Sequence, residues 1–117
     1  MNKKVLGALA AALLLGSASP AGAAERPDLM TLGQGTMTLG IIYEHNDYSG
    51  AILEFRGNSC AAYFELPAIW KEITSSVKSM SCRMGIQDKY NNYLRVGWEP
   101  RLGEFNDRAT KVQFTQS

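Results

Sequence analysis

The residues best suited to chemistry lie within one short polar segment, Tyr43–Gly50. It holds the single histidine of the chain, His45, with Asp47 and Ser49 at alternate positions after it. A histidine, a carboxylate and a hydroxyl can form a nucleophilic triad, but the triad needs a buried carboxylate that orients the imidazole. Near neighbours on one ribbon cannot supply that geometry. We therefore predict that these are surface residues and that the protein is not an enzyme.

The N-terminal segment has the three parts of a secretory signal peptide. Lys3 and Lys4 precede an apolar run over residues 5–15, and small residues follow over residues 17–24. The alternative, a membrane anchor, is disfavoured because the run is shorter than the roughly 20 residues that a span needs. We expect residues 1–24 to be removed by cleavage after Ala23 or Ala24. The product would be secreted, to the periplasm or the medium, and long enough for one small domain.

The charge of the expected mature chain is nearly balanced. Without Lys3 and Lys4 it carries ten basic and eleven acidic side chains. Such a balance argues against nucleic acid or an anionic membrane as the partner.

Cys60 and Cys82 are the only cysteines. With one histidine they cannot provide the four nitrogen and sulfur ligands of a zinc site. In an exported protein an even pair predicts a disulfide. The closed loop of about 22 residues would contribute roughly 3 kcal/mol in the chain-entropy model.

Residues on both sides of Tyr43–Gly50 alternate between apolar and polar or small side chains, which predicts two strands joined by a hairpin. Gly50 can take a positive φ and fold the loop back onto the strands. Tyr43 and Tyr48 can then cover the folded loop with their rings.

The rest of the chain predicts further strands and no helix, so the predicted fold class is all-β. Residues 25–36 lack a sustained period and are interpreted as a lead-in linker before a domain over residues 37–117. Trp70 is expected in the core. The predicted strands cover residues 60–66, 76–80, 83–87 and 110–114, and residues 93–98 and 101–105 are expected to pair around Glu99 and Pro100.

Two segments carry a resemblance to a known family. Tyr43-x6-Gly50 with Tyr48 between, followed by Trp70-Lys71-Glu72-Ile73-Thr74-Ser75-Ser76-Val77, resembles the βγ-crystallin Greek-key motif. The resemblance implies a double Greek-key β-sandwich, in which Ser76 lies over the folded hairpin and bonds its backbone.

A second copy of the motif is less complete. Phe105-Asn106-Asp107-Arg108-Ala109-Thr110-Lys111-Val112 looks like the same segment. Lys111 stands where the hairpin-covering serine is expected, and Gln87 stands near the place of the aromatic corner. Because a lysine is costly to bury there, we predict a shortened second Greek key.

The resemblance also implies a calcium site, since members of the family often bind calcium through Asn/Asp-Asn/Asp-x-x-Ser/Thr-Ser. The predicted ligands are Asn106, Asp107, Thr110 and the carbonyl of Glu44. Calcium takes six to eight oxygens, so this reduced set predicts one weak site, and calcium is the only cofactor expected.

The runner-up function is peptidase inhibition, because small secreted bacterial metalloprotease inhibitors resemble this fold. An inhibitor needs a rigid, exposed loop that loses little entropy on binding. Residues 98–103, with Glu99, Pro100, Arg101 and Leu102 at the centre, could form it, as could Gly57–Ser59. The expected partner is a secreted protease or a cell-envelope component, and the protein is expected to be a monomer.

Overall fold

The computed structural model describes residues 26–116, so the predicted signal peptide at residues 1–24 lies outside the described residues. Within these described residues, nine strands and two single 3-10 turns follow one another. The strands are β1 Leu29–Leu32, β2 Met37–His45, β3 Ser49–Gly57, β4 Ala62–Glu65, β5 Ser76–Ser79, β6 Arg83–Gln87, β7 Tyr93–Val96, β8 Trp98–Glu99 and β9 Lys111–Thr115. The 3-10 turns cover Ala68–Trp70 and Gly103–Phe105.

The strands form two sheets that exchange one strand each. The five-stranded sheet has the order β1-β3-β2-β5-β8 and the four-stranded sheet the order β4-β9-β6-β7. Strands β2–β5 make the first Greek key and β6–β9 the second, and the third strand of each key lies in the other sheet. The predicted double Greek-key sandwich is confirmed. The second key is also shorter, because β6 and β7 have five and four residues where β2 and β3 have nine each.

The core lies between the sheets and follows from the alternation in β3 and β9, whereas a register shift between Thr38 and Gly40 interrupts the alternation in β2. Ile42, Leu53 and Phe55 are fully buried while their neighbours along the strands are more exposed. Phe55 meets Phe64 and Phe114 across the sandwich at ring-centroid distances of 5.1 and 5.5 Å. Trp70 is fully buried, as predicted.

The prediction of a lead-in linker over residues 25–36 is wrong for Leu29–Leu32. This segment is β1, which pairs in parallel with residues 52–55 of β3. Met30 and Leu32 pack against the core. A four-residue strand has too few alternations to stand out in the sequence, and its parallel partner follows some 20 positions later.

The predicted pairing of residues 93–98 with 101–105 is also wrong. β7 pairs with β6, Trp98 and Glu99 pair with β5, and a 3-10 turn occupies Gly103–Phe105. The reason is the strand exchange, which sends β8 to the opposite sheet instead of back along β7.

The hairpin between β2 and β3 is covered, as predicted, by two tyrosine rings and by the Ser76 hydroxyl. The rings of Tyr43 and Tyr48 meet edge to face at 5.5 Å, and Gly50 has a φ of 81°. The Ser76 hydroxyl accepts a hydrogen bond from the Tyr48 N–H at 3.0 Å and donates one to the His45 carbonyl at 2.6 Å. Because both backbone groups would lose their partner without it, this hydroxyl stabilises the fold by about 1–3 kcal/mol.

The second key replaces the folded hairpin with a tight turn around Asp88. One Asp88 oxygen accepts the backbone N–H groups of Tyr90 and Asn92, each at 2.9 Å. The other oxygen accepts the Asn92 side-chain amide and the guanidinium of Arg108. The Asp88 side chain is only 2% exposed. A carboxylate therefore does in the second key what the tyrosines and Ser76 do in the first.

We predict that this carboxylate makes stability pH-dependent. Burial alone would raise the pKa of Asp88, but the bonds from Asn92, Arg108 and Tyr90 outweigh it and lower the pKa from 3.8 to about 2. Since the folded-state pKa lies below the unfolded one, Asp88 stabilises the fold above about pH 4, and this contribution is lost as the pH falls towards 2.

Thermal melting of the wild type and Asp88→Asn between pH 7 and pH 2 tests this prediction. The difference in melting temperature should be largest at neutral pH and narrow below pH 4. Glu54 also has a lowered pKa, chiefly because Thr38 donates a hydrogen bond to it. Its effect on stability is the same in the wild type and the variant, so it cancels when the two are compared. A difference that stays constant with pH would contradict it.

Candidate functional site

Two equivalent loops meet at one end of the sandwich, just before β5 and just before β9. The Glu72 N–H donates to the Ala109 carbonyl at 2.9 Å, and the Asp107 N–H donates to the Thr74 carbonyl at 3.0 Å. Glu72 and Asp107 also share a left-handed backbone, with φ of 62° and 60°. The loops are thus related by an approximate twofold, and each presents one acidic residue towards the other.

The same twofold relates the corners of the two keys. The Ser75 N–H donates to the Tyr43 carbonyl at 3.0 Å, and the Thr110 N–H donates to the Gln87 carbonyl at 2.8 Å. Gln87 therefore takes the position of the aromatic corner in the second key, and Thr110 takes the position of Ser75.

At the first of the two equivalent places, three oxygens from both loops come together. The Ser75 hydroxyl lies 3.2 Å from Oδ1 of Asp107 and 3.4 Å from the Ile73 carbonyl. Oxygens that bind calcium at 2.3–2.6 Å lie about 3.4 Å apart when they subtend a right angle at the ion. The two distances from the Ser75 hydroxyl are close to this spacing.

The charge at this place also suits a cation. Among the described residues, no basic side chain forms an ion pair with Asp107, whereas Asp47 pairs with Arg101 and Asp88 with Arg108. Ser75 is buried and Asp107 is exposed, so the group lies at the surface with one side open. A bound ion would complete its coordination with water.

A site for a transition metal is not indicated. Residues 26–116 contain no group of three or more histidine, cysteine, aspartate or glutamate side chains that could hold a metal. The three oxygens at Ser75 include a hydroxyl and a carbonyl, which are ligands for calcium rather than for zinc or copper.

The predicted calcium ligands do not converge on one point. Asp107 contacts Ser75, whereas Thr110 is buried and donates its hydroxyl to the Gln87 carbonyl at 3.4 Å. Asn106 is exposed, and its backbone N–H donates to the Gly103 carbonyl. Asp107 and Thr110 belong to the same motif copy, but the approximate twofold places them at different sites.

The side chain of Glu44 is occupied by contacts within the protein. One carboxylate oxygen accepts the Arg26 guanidinium at 2.7 Å and the other accepts the Ala51 N–H at 3.1 Å. These contacts do not involve the carbonyl of Glu44, which is the group named in the prediction.

Sequence reasoning missed Ser75 and the Ile73 carbonyl. The signal was present, because Ser75 holds in the first motif copy the place that Thr110 holds in the second. The missing step was the exchange between copies, which pairs the hydroxyl of one copy with the carboxylate of the other.

The three residues considered for a triad each contact a different partner. His45 is exposed and lies 3.7 Å from Glu44, Asp47 pairs with Arg101 at 3.4 Å, and Ser49 donates to the Asn46 carbonyl at 2.8 Å. None of these contacts joins two members of the three, and none orients His45 with a buried carboxylate.

The segment proposed as an inhibitory loop is held against the first hairpin. The Pro100 carbonyl accepts the Asp47 N–H at 2.9 Å, and Arg101 pairs with the Asp47 side chain. A Glu99 oxygen accepts the Gly97 N–H at 3.1 Å, and Leu102 is buried with 7% exposure. Trp98, Pro100, Arg101 and Gly103 remain exposed around the buried Leu102. Protease inhibition stays a prediction.

Comparison with known proteins finds similarity through structure alone. No protein-family model matches the sequence, and no curated protein matches it. Among solved structures, a mutant βγ-crystallin domain from Clostridium beijerinckii matches with a TM-score of 0.55 and 17% identity, over 68% of this chain and 99% of that one.

Two further structures agree with the first. A βγ-crystallin from an archaeon gives a TM-score of 0.54 at 15% identity, over 68% of this chain and all of that one. A βγ-crystallin from Ciona intestinalis gives a TM-score of 0.51 at 19% identity, over 65% of this chain and 98% of that one.

The exchanged third strands and the paired loops define a crystallin-type β-sandwich. The three comparisons agree with this description, and the chain has the βγ-crystallin fold. Within residues 26–116, no helix has the length and apolar character needed to cross a membrane.

Proposed function

We propose that the protein is a secreted, non-enzymatic binding or structural module that holds one calcium ion between Ser75 and Asp107. The observation that carries the calcium proposal is the Ser75 hydroxyl within 3.2 Å of Asp107 Oδ1 and 3.4 Å of the Ile73 carbonyl. The Glu44 carbonyl is a candidate for a fourth protein ligand. Because the protein supplies so few of the six to eight oxygens, the affinity should be in the range of extracellular modules, about 0.1–1 mM.

Calcium would act on the module by tying its two keys together. Ser75 and Ile73 belong to the first key and Asp107 to the second, so an ion bound by all three bridges them. Secretion, proposed from the N-terminal segment, fits this role because a site with a dissociation constant near 1 mM can fill only where calcium is at millimolar concentration, as outside the cell. The Cys60–Cys82 disulfide also needs an oxidising compartment.

Thermal melting with and without calcium tests the proposal. For a dissociation constant of about 1 mM, 10 mM calcium should stabilise the fold by about 1.4 kcal/mol. This corresponds to a rise of roughly 6–10 °C in melting temperature for a domain of this size. Magnesium at the same concentration controls for ionic strength and should have a smaller effect.

The twofold provides a matched pair of variants. Asp107→Ala removes the side-chain oxygen and should abolish the calcium-dependent rise, whereas Glu72→Ala, the matching truncation at the equivalent position, should keep it. The proposal is overturned if calcium has no effect on the wild type at 10 mM, or if both variants respond as the wild type does.

A further inference from the structure

A charged pocket occupies the second of the two equivalent places, opposite the Ser75–Asp107 group. The cavity has a volume of about 360 Å³ and is lined by Glu65, Lys71, Glu72, Lys89, Thr110 and Lys111. Here Thr110 and Glu72 stand where Ser75 and Asp107 stand in the first place, but three lysines surround them. We call this the lysine pocket.

The two carboxylates of the lysine pocket are already paired. Lys71 lies 3.1 Å from Glu65, and Lys89 lies 3.4 Å from Glu72. Within residues 26–116, the Lys111 ammonium donates to the neutral side-chain oxygen of Asn91 at 3.3 Å and forms no ion pair. Three ammonium groups against two carboxylates leave the pocket with a net charge of +1, and Lys111 carries the charge that no described carboxylate balances.

This charge is opposite in sign to that of the Ser75–Asp107 group. A cation bound near Thr110 and Glu72 would meet three ammonium groups against two carboxylates, so the net charge of the pocket repels it. An oxyanion would be attracted by the same charges, and its several oxygens could accept hydrogen bonds from lysines on two walls at once. The Thr110 hydroxyl, whose bond to Gln87 is long at 3.4 Å, provides a further donor.

We propose that the lysine pocket binds a phosphate-type oxyanion, with Lys111 as the principal contact and Lys71, Lys89 and Thr110 as additional donors. The two loops thus carry two sites of opposite preference. The inference does not depend on calcium binding, because it involves neither Ser75 nor Asp107.

Nuclear magnetic resonance titration of the mature protein with inorganic phosphate tests this inference, at constant ionic strength with chloride as the background anion. Saturable shifts are expected at the amides of Glu72, Thr110 and Lys111. A parallel titration with glycerol 3-phosphate distinguishes the source of the group, because tighter binding of the ester indicates a phosphorylated ligand rather than free phosphate.

Lys111→Gln should weaken phosphate binding about fivefold, as expected for loss of one charge contact. Arg83→Gln is the matched control, because it removes one exposed positive charge outside the pocket and should leave the affinity unchanged. Glu72→Gln should strengthen binding, since it frees Lys89. If Lys111→Gln does not fold, Lys89→Gln serves in its place.

The inference is overturned if phosphate causes no saturable shifts at about 20 mM, well above a millimolar dissociation constant. It is also overturned if Lys111→Gln and Arg83→Gln lose affinity equally, since that result means diffuse attraction to surface charge. Thermal melting of Lys111→Gln with and without calcium tests whether the two sites are independent. The calcium-dependent rise in melting temperature should equal that of the wild type.

Discussion

Replacement of Trp70 by alanine is expected to lower the free energy of unfolding by about 3–5 kcal/mol. Trp70 ends the 3-10 turn between β4 and β5 and is fully buried in the core between the sheets. Its indole nitrogen is buried and has no hydrogen-bond partner among the described residues, so its contribution is one of packing. Removing the ring leaves a large cavity that a rigid sandwich cannot close.

Trp98→Ala is the matched control for Trp70→Ala. Trp98 is 58% exposed and donates its indole N–H to the Ser79 carbonyl at 2.8 Å, and Lys78 lies 4.4 Å from the ring centroid. The loss of one hydrogen bond and one exposed cation–π contact should cost about 1–2 kcal/mol. Chemical denaturation followed by circular dichroism measures both variants. Equal losses would contradict the assignment of Trp70 to the core.

The first Greek key could be predicted well because its signals are local. β2 and β3 have nine residues each, and the polar segment Tyr43–Gly50 indicates the hairpin that joins them. The role of Ser76 came from the resemblance to the βγ-crystallin motif, and the hydrogen bonds to His45 and Tyr48 are present. Nothing in the chemistry of Ser76 alone distinguishes it from Ser75, which faces Asp107 instead.

The second key could be predicted less well because short strands leave little pattern. β8 has two residues, and its partner β5 ends 19 positions earlier, so only the complete topology assigns Trp98 and Glu99 to the opposite sheet. β1 was missed for the same reason. Three of the four bonds to the Asp88 carboxylate are local, from Tyr90 and Asn92, but the fourth comes from Arg108 of a distant loop, which no local pattern indicates.

The candidate calcium site shows how symmetry can mislead a sequence argument. The predicted set took Asn106, Asp107 and Thr110 from one motif copy and so grouped Asp107 with Thr110. The folded chain pairs Asp107 with Ser75 and leaves Thr110 among lysines. In a twofold arrangement each copy donates half of each site, so ligand sets should be composed across copies.

Removal of the disulfide is the second large effect that we expect. Cys60 lies between β3 and β4, Cys82 lies between β5 and β6, and the predicted bond between them is present. It closes a loop of 22 residues that contains the third and fourth strands of the first key, together with Trp70 and Ser76. Without it, the unfolded chain gains the entropy of that loop, and the free energy of unfolding should fall by about 3 kcal/mol.

The double variant Cys60→Ala/Cys82→Ala isolates this effect, because alanine avoids placing serine hydroxyls at two buried positions. Denaturation in urea should show a lower midpoint and a steeper dependence on urea, since the unfolded chain without the cross-link exposes more surface. A reducing agent should bring the wild type to the stability of the variant and leave the variant unchanged. A loss below about 1 kcal/mol would mean that the loop stays ordered by its strands in the unfolded ensemble, contrary to the entropic argument.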